Sequence, residues 1–156
     1  MRYRTVRTLA AEDAAYLAGL IDGEGTITLS RRHANERRQL VVSISSTEPV
    51  LLDWIMPATG VGKITRKRRV SEKHATGLTY SVSNRQALAI LAQVTPYLRS
   101  YKRIRAKLAL DRYLELTPRN GKYTLSVVAA REAFERDLLM VTAKSANRLG
   151  EVPERP

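Results

Sequence analysis

The stretch Tyr16-Leu17-Ala18-Gly19-Leu20-Ile21-Asp22-Gly23-Glu24-Gly25 constrains this chain more than any other. Its apolar residues predict a helix over residues 12–22, with Glu12 and Asp13 suited to the first turn. Ala15, Gly19 and Gly23 recur every four residues, so one stripe of that helix is nearly without side chains. Glycine inside a helix costs about 1 kcal/mol relative to alanine. A bare stripe makes sense where the backbone of a second helix approaches closely, as in small-xxx-small pairs. The rest of the helix is apolar, which predicts burial. It ends in two acids, Asp22 and Glu24, where the helix dipole favours cations. Acids there need compensation, and a divalent metal supplies it. Two such helices paired about a twofold axis would bring two carboxylates together, and these repel unless a metal intervenes.

The remaining composition narrows the class. A length of 156 residues suits one domain. The absence of cysteine excludes a disulfide framework, a thiolate metal site and a cysteine nucleophile. Two histidines leave little room for zinc. A hydrophobic share of 44% with 27% charged residues reads as folded and globular. No apolar run approaches the roughly 18 residues of a membrane span, so no membrane association is expected. The basic N-terminus is interrupted by acids before any apolar core, which argues against a secretory signal. The expected location is intracellular, in a bacterial cytoplasm or an organelle interior. A net charge of +12 points to a polyanionic partner. The basic residues are spread along the chain rather than gathered on one amphipathic helix, so nucleic acid fits better than a membrane surface.

Residues 1–10 read as a flexible basic arm, 11–146 as one domain and 147–156 as a frayed tail. After Gly25, TITLSRR alternates with Ile27 and Leu29 inward, and QLVVSISS places Leu40, Val42 and Ile44 inward; together they form a hairpin. Thr47 is suited to cap a helix holding Val50, Leu51, Trp54 and Ile55. A second hairpin pairs KITRKRRV with LTYSVS, whose Leu78, Tyr80 and Val82 face inward. Asn84 then suits the cap of a helix ending before Pro96, followed by helices over about 101–116 and 124–146. Hairpins alternating with helices predict an α+β fold, an antiparallel sheet with helices on one face. The free face would carry Thr28, Ser30, Arg32, Gln39, Ser43, Ser45, Lys63, Thr65, Lys67, Arg69, Thr79 and Ser81, joined by Arg37 from the first hairpin turn. Hydroxyls, an amide and cations without a single acid suit phosphates and major-groove base edges. A merely solvated face usually mixes both signs of charge.

The segment LAGLIDGEG resembles the signature of the LAGLIDADG homing endonucleases, and the element order resembles that family's αββαββα core. GVG before the third strand and the pattern Pro96 to Leu98, Lys102 and Ala106 are similar too. The resemblance covers residues 12 to about 116 and implies a saddle-shaped sheet. It implies that Glu24 binds the catalytic metal, with the carbonyl of Gly23 beside it. The family more often has aspartate at that position; glutamate remains a hard oxygen ligand, one methylene longer. It implies Lys102 near the scissile phosphate, and Glu48 among the groups organising catalytic water, although Thr47-Glu48-Pro49 also reads as an ordinary helix start. Leu52 stands where such relatives often carry arginine. Asp22 reads as structural, fixing the helix end or the partner helix.

In the family it resembles, a chain with a single motif implies a homodimer, here packed through Ala15, Ala18, Gly19, Asp22 and Gly23. Its formal charge is 2 × (+12) = +24, a strong footprint for duplex DNA. A twofold protein reads a pseudo-palindromic site. The activity implied is hydrolysis of both DNA strands with Mg²⁺, or Mn²⁺, leaving short 3′ overhangs, with Ca²⁺ binding but not supporting cleavage. No general base stands out, since His33 and His74 fall in loops. The alternatives are a DNA-binding regulator of the same fold without cleavage, and a maturase that assists splicing of intron RNA. The acid at Glu24 argues against both. A general RNA-binding protein would leave the striped, acid-ended helix unexplained, and the sheet lacks a set of stacking aromatics.

Overall fold

The computed structural model describes residues 3–66 and 77–149. Helix α1 (Ala11–Glu24) leads into strand β1 (Gly25–Ser30), which pairs with β2 (Gln39–Ser46). Two short helices, α2 (Pro49–Asp53) and α3 (Ile55–Thr59), precede β3 (Lys63–Arg66) and β4 (Leu78–Ser83). Helix α4 (Asn84–Val94), a 3₁₀ turn (Thr95–Tyr97), α5 (Lys102–Arg112), α6 (Leu125–Met140) and α7 (Ala143–Leu149) complete the order. The four strands form one antiparallel sheet in the order β1-β2-β4-β3. Among the described residues no helix is long and apolar enough to cross a membrane.

Alternation in the strands sorts their two faces. Ile27, Leu29, Leu40, Val42, Ile44, Tyr80 and Val82 are buried against the helices, while the other face stays free. Burial of each such side chain contributes roughly 1.5–3 kcal/mol. Helices α1 and α4 cover β2, and α5 and α6 flank β1. Helix α1 turns Ala14, Leu17, Ala18 and Ile21 into this core, at the spacing one helical face demands. Its last turn sits so close to β2 that a Cβ at Gly25 would lie 2.7 Å from the Ile21 Cα and 3.0 Å from the Ser43 carbonyl oxygen. Gly25 therefore lets the helix turn directly into the strand.

Several boundaries differ from the sequence reading. Residues 4–9, expected as a flexible arm, make hydrogen bonds to α3 and α4. Gln86 Nε2 donates to the Arg4 carbonyl at 2.8 Å, Arg7 N to the Thr59 carbonyl at 2.8 Å, and Leu9 N to Gln93 Oε1 at 2.7 Å. Strand β1 ends at Ser30, which leaves Arg32 in the loop. Thr47 does not cap: the second helix starts at Pro49, with Glu48 N donating to Ser46 Oγ at 3.0 Å. That helix breaks at Trp54 because Pro57 offers no N–H to the Asp53 carbonyl and its ring crowds it. Asn84 is not a cap either. It begins α4 with φ 56, and its Oδ1 accepts from the Tyr113 hydroxyl at 2.6 Å.

Helix α5 ends at Arg112, short of the expected 116. The last helix is two, separated where Val141 turns extended and Arg105 Nε donates to its carbonyl at 2.7 Å. The continuation of β3 past Arg66, the turn holding His74 and the tail from 150 onward lie outside the described residues.

Candidate active site and nucleic-acid interface

The two acids at the end of α1 have separate fates. Asp22 is half-buried, and its carboxylate accepts from Arg99 N at 2.8 Å, Ser100 N at 3.1 Å and Ser100 Oγ at 2.5 Å. It thereby ties the end of α1 to the start of α5. Glu24 is exposed, and no hydrogen bond or ion pair engages its carboxylate among the described residues.

Lys102 explains how a helix tolerates acids at its negative end. Its Nζ donates to the carbonyls of Ile21 and Asp22, both at 2.8 Å, and only 9% of the residue is exposed. A cation on the last carbonyls offsets the dipole there. Burial pushes the Lys102 ammonium below the usual lysine range, and the nearby Asp22 and Glu24 charges oppose that shift. The structure thus places Lys102 on the backbone of α1. Glu48 is exposed just past β2, at the sheet end where Ile44 pairs with Gly25, the residue following Glu24.

The small-residue stripe is open. Ala15, Gly19 and Gly23 are exposed, and a Cβ at Gly19 or Gly23 would meet nothing within 4 Å. Tyr16 flanks the stripe, its ring 5.4 Å from that of Trp54. Ala18 is corrected: at 0% exposure it belongs to the chain's own core, because it shares the inward face with Ala14 and Ile21. Asp22 is likewise committed to α5.

The free sheet face assembles most of the expected polar set. Ser43 pairs with Ser81, which pairs in turn with Lys63; Ser45 pairs with Thr79, which pairs with Thr65. Ser30 pairs with Gln39, and Thr28 with Val41. Ser45 Oγ and Thr79 Oγ1 lie 2.8 Å apart. Arg37 is less available than expected, since it stacks 5.1 Å over Tyr123 and lies 3.8 Å from Glu132. Lys67 and Arg69 fall outside the described residues. Sequence reasoning passed over Arg85 and Arg119, which come from helical and loop segments yet line the same concave face.

Among the described residues no three His, Asp or Glu side chains gather to hold a metal. A hard divalent cation takes about six oxygen ligands. The Glu24 carboxylate and the Gly23 carbonyl are the right donor chemistry but too few, so one chain alone does not fit the ion.

An antiparallel sheet with a polar, cationic free face, backed by helices one of which ends in an exposed carboxylate, defines an α+β class. No protein-family model and no curated protein matches the chain. Solved structures do. The homing endonuclease I-CvuI, in complex with its target in the presence of Ca, superposes with a TM-score of 0.66 at 19% identity, covering 94% of this chain and 98% of that one. The archaeal intron-encoded homing endonuclease I-Vdi141I, complexed with DNA, gives 0.55 at 18% identity over 84% of each. The LAGLIDADG homing endonuclease I-GzeII, in complex with a DNA target, gives 0.58 at 15% identity over 96% of this chain but 52% of its own. The chain has the LAGLIDADG homing-endonuclease fold.

Proposed function

We propose that this chain is a site-specific DNA endonuclease that acts as a homodimer with a divalent metal. One observation carries the reading. Glu24 is exposed, and unpaired among the described residues, at the end of an open stripe of Ala15, Gly19 and Gly23, whereas Asp22 and Lys102 are spent inside the chain. A carboxylate left free beside a surface shaped for a second helix suits a site completed by a second copy. The chain's coverage of about half of I-GzeII, 52%, supports the same arithmetic, since two such units match one longer chain in length.

In this reading Glu24 and the Gly23 carbonyl of each chain hold the metal. Bound Mg²⁺, or Mn²⁺, supplies charge stabilisation at the scissile phosphate and a water of lowered pKa. Asp22 and Lys102 act as positioning residues: one fixes α1 to α5, the other neutralises the carbonyl end from which Glu24 projects. Glu48, exposed at the same end of the sheet, helps order water. The free faces of the two sheets lie in successive major grooves, where hydroxyls and cations meet base edges and phosphates. Each strand is cut once, leaving short 3′ overhangs, in a pseudo-palindromic target.

The test is cleavage of a randomised palindromic duplex library in Mg²⁺ and in Ca²⁺, with the cut ends sequenced. Double-strand cuts at one motif in Mg²⁺, absent in Ca²⁺ and lost in Glu24→Gln, support the proposal. Retention of specific duplexes without cutting makes the protein a regulator. Preference for structured RNA in competition makes it a splicing factor.

A further inference from the structure

The concave face extends beyond the sheet into a groove of about 1560 Å³ at the ends of the strands farthest from Glu24. Gly25 opens β1 beside Glu24, and Ser30 closes it in the groove. At about 3.3 Å per residue those ends are about 17 Å apart, roughly five base pairs along a duplex. The groove's far wall is not sheet. It is the start of α4, with Arg85, and the connection between α5 and α6, residues 117–123, with Arg119.

That connection is built rather than slack. Arg85 Nη2 donates to the Thr117 carbonyl at 3.2 Å, and buried Arg131 Nη1 donates to the Leu116 carbonyl at 3.0 Å. Gly121 N donates to the Pro118 carbonyl at 3.2 Å, closing a turn in which Gly121 takes φ 67. Lys122 N donates to Asn120 Oδ1 at 3.0 Å. The turn leaves Arg119 exposed, with no hydrogen bond or ion pair among the described residues. Arg31, Arg32 and Lys63 line the same groove. Among the described residues the one carboxylate lining the groove, Glu36, accepts from Arg32 N at 3.3 Å.

We infer that Arg85 and Arg119 form a distal phosphate anchor, which grips the sugar-phosphate backbone of a duplex outside the base pairs read by the sheet. The inference rests on the endonuclease reading and adds to it a surface that sets the outer edge of the footprint. A cation pair, Arg119 on a braced loop and Arg85 on the helix that braces it, recognises charge and spacing and reads no base. Pre-ordering of the loop means that little conformational freedom is lost on binding.

The test is binding of two unrelated duplexes of about 30 base pairs, roughly three helical turns. Affinity is measured by fluorescence anisotropy in EDTA at several salt concentrations, for the wild-type protein, Arg119→Gln and the double variant Arg85→Gln/Arg119→Gln. The plot of log affinity against log salt loses about 0.9 of slope per phosphate contact removed. The expected result is that loss for Arg119→Gln, about twice it for the double variant, and equal weakening on both duplexes. Arg119→Lys restores most of the slope. An unchanged slope overturns the anchor, and so does weakening confined to one duplex, which marks a base-reading contact. Failure of the wild-type protein to bind either duplex removes the endonuclease reading and the anchor together.

Discussion

Lys102 Nζ donates to the carbonyl of Asp22 across 2.8 Å, from a helix 80 positions further along the chain. The bond reconciles an acid-ended helix with its dipole and joins α1 to α5 at the site. Lys102→Met removes both charged hydrogen bonds, and bonds of that kind contribute about 1.5–3 kcal/mol. Urea unfolding in the absence of metal is expected to show a loss of that size.

Asp22→Asn separates structure from chemistry. The carboxylate accepts three hydrogen bonds at the start of α5, and a carboxamide has a single acceptor oxygen. The variant is expected to lose about 1–3 kcal/mol of stability. Well below its melting temperature it is expected to keep cutting. A fully stable but inactive Asp22→Asn would place Asp22 in the chemistry instead.

Gly19→Leu acts on the stripe. A Cβ there would meet nothing within 4 Å among the described residues, and replacing a helical glycine stabilises the helix by up to about 0.8–1 kcal/mol. The account expects a chain at least as stable as wild type that sediments as a monomer and no longer cuts. A dimer that persists in Gly19→Leu would move the interface elsewhere.

Tyr80 makes stability pH-dependent at the alkaline end. Its hydroxyl donates to the Val61 carbonyl at 2.9 Å, and burial raises it above the ordinary tyrosine value, partly offset by Thr59. A raised folded value means that the unfolded chain releases the proton first. Stability is therefore intact below about pH 10 and falls as pH climbs through the raised value. Tyr80→Phe costs about 1 kcal/mol at neutral pH and flattens that fall, as chemical unfolding at pH 8 to 11 would show.

Much of this fold was legible because its strands keep a strict period of two. Ile27 and Leu29, then Leu40, Val42 and Ile44, announce the buried face, and the residues between them announce the free one. The motif placed Glu24 at a helix end, as found. What escaped depended on partners distant in sequence. Asn84 looks like a cap until Tyr113 takes its side chain. Ala18 counts among the expected dimer contacts until the 3.6-residue period puts it inward with Ala14 and Ile21. The resemblance sets Lys102 near a scissile phosphate, and only the fold shows its ammonium on the α1 carbonyls. Arg85 and Arg119 lie outside the strands, so no alternation marks them.

The central claim is that the free Glu24 carboxylates of two chains build one shared site. Wild-type and Glu24→Gln chains mixed at known ratios, unfolded and refolded together, test it through the rate of double-strand cutting in Mg²⁺. The expected rate follows the square of the wild-type fraction and reaches background, at least about 10²–10³-fold down, for Glu24→Gln alone. A rate linear in the wild-type fraction, or cutting that survives in pure Glu24→Gln, would contradict it.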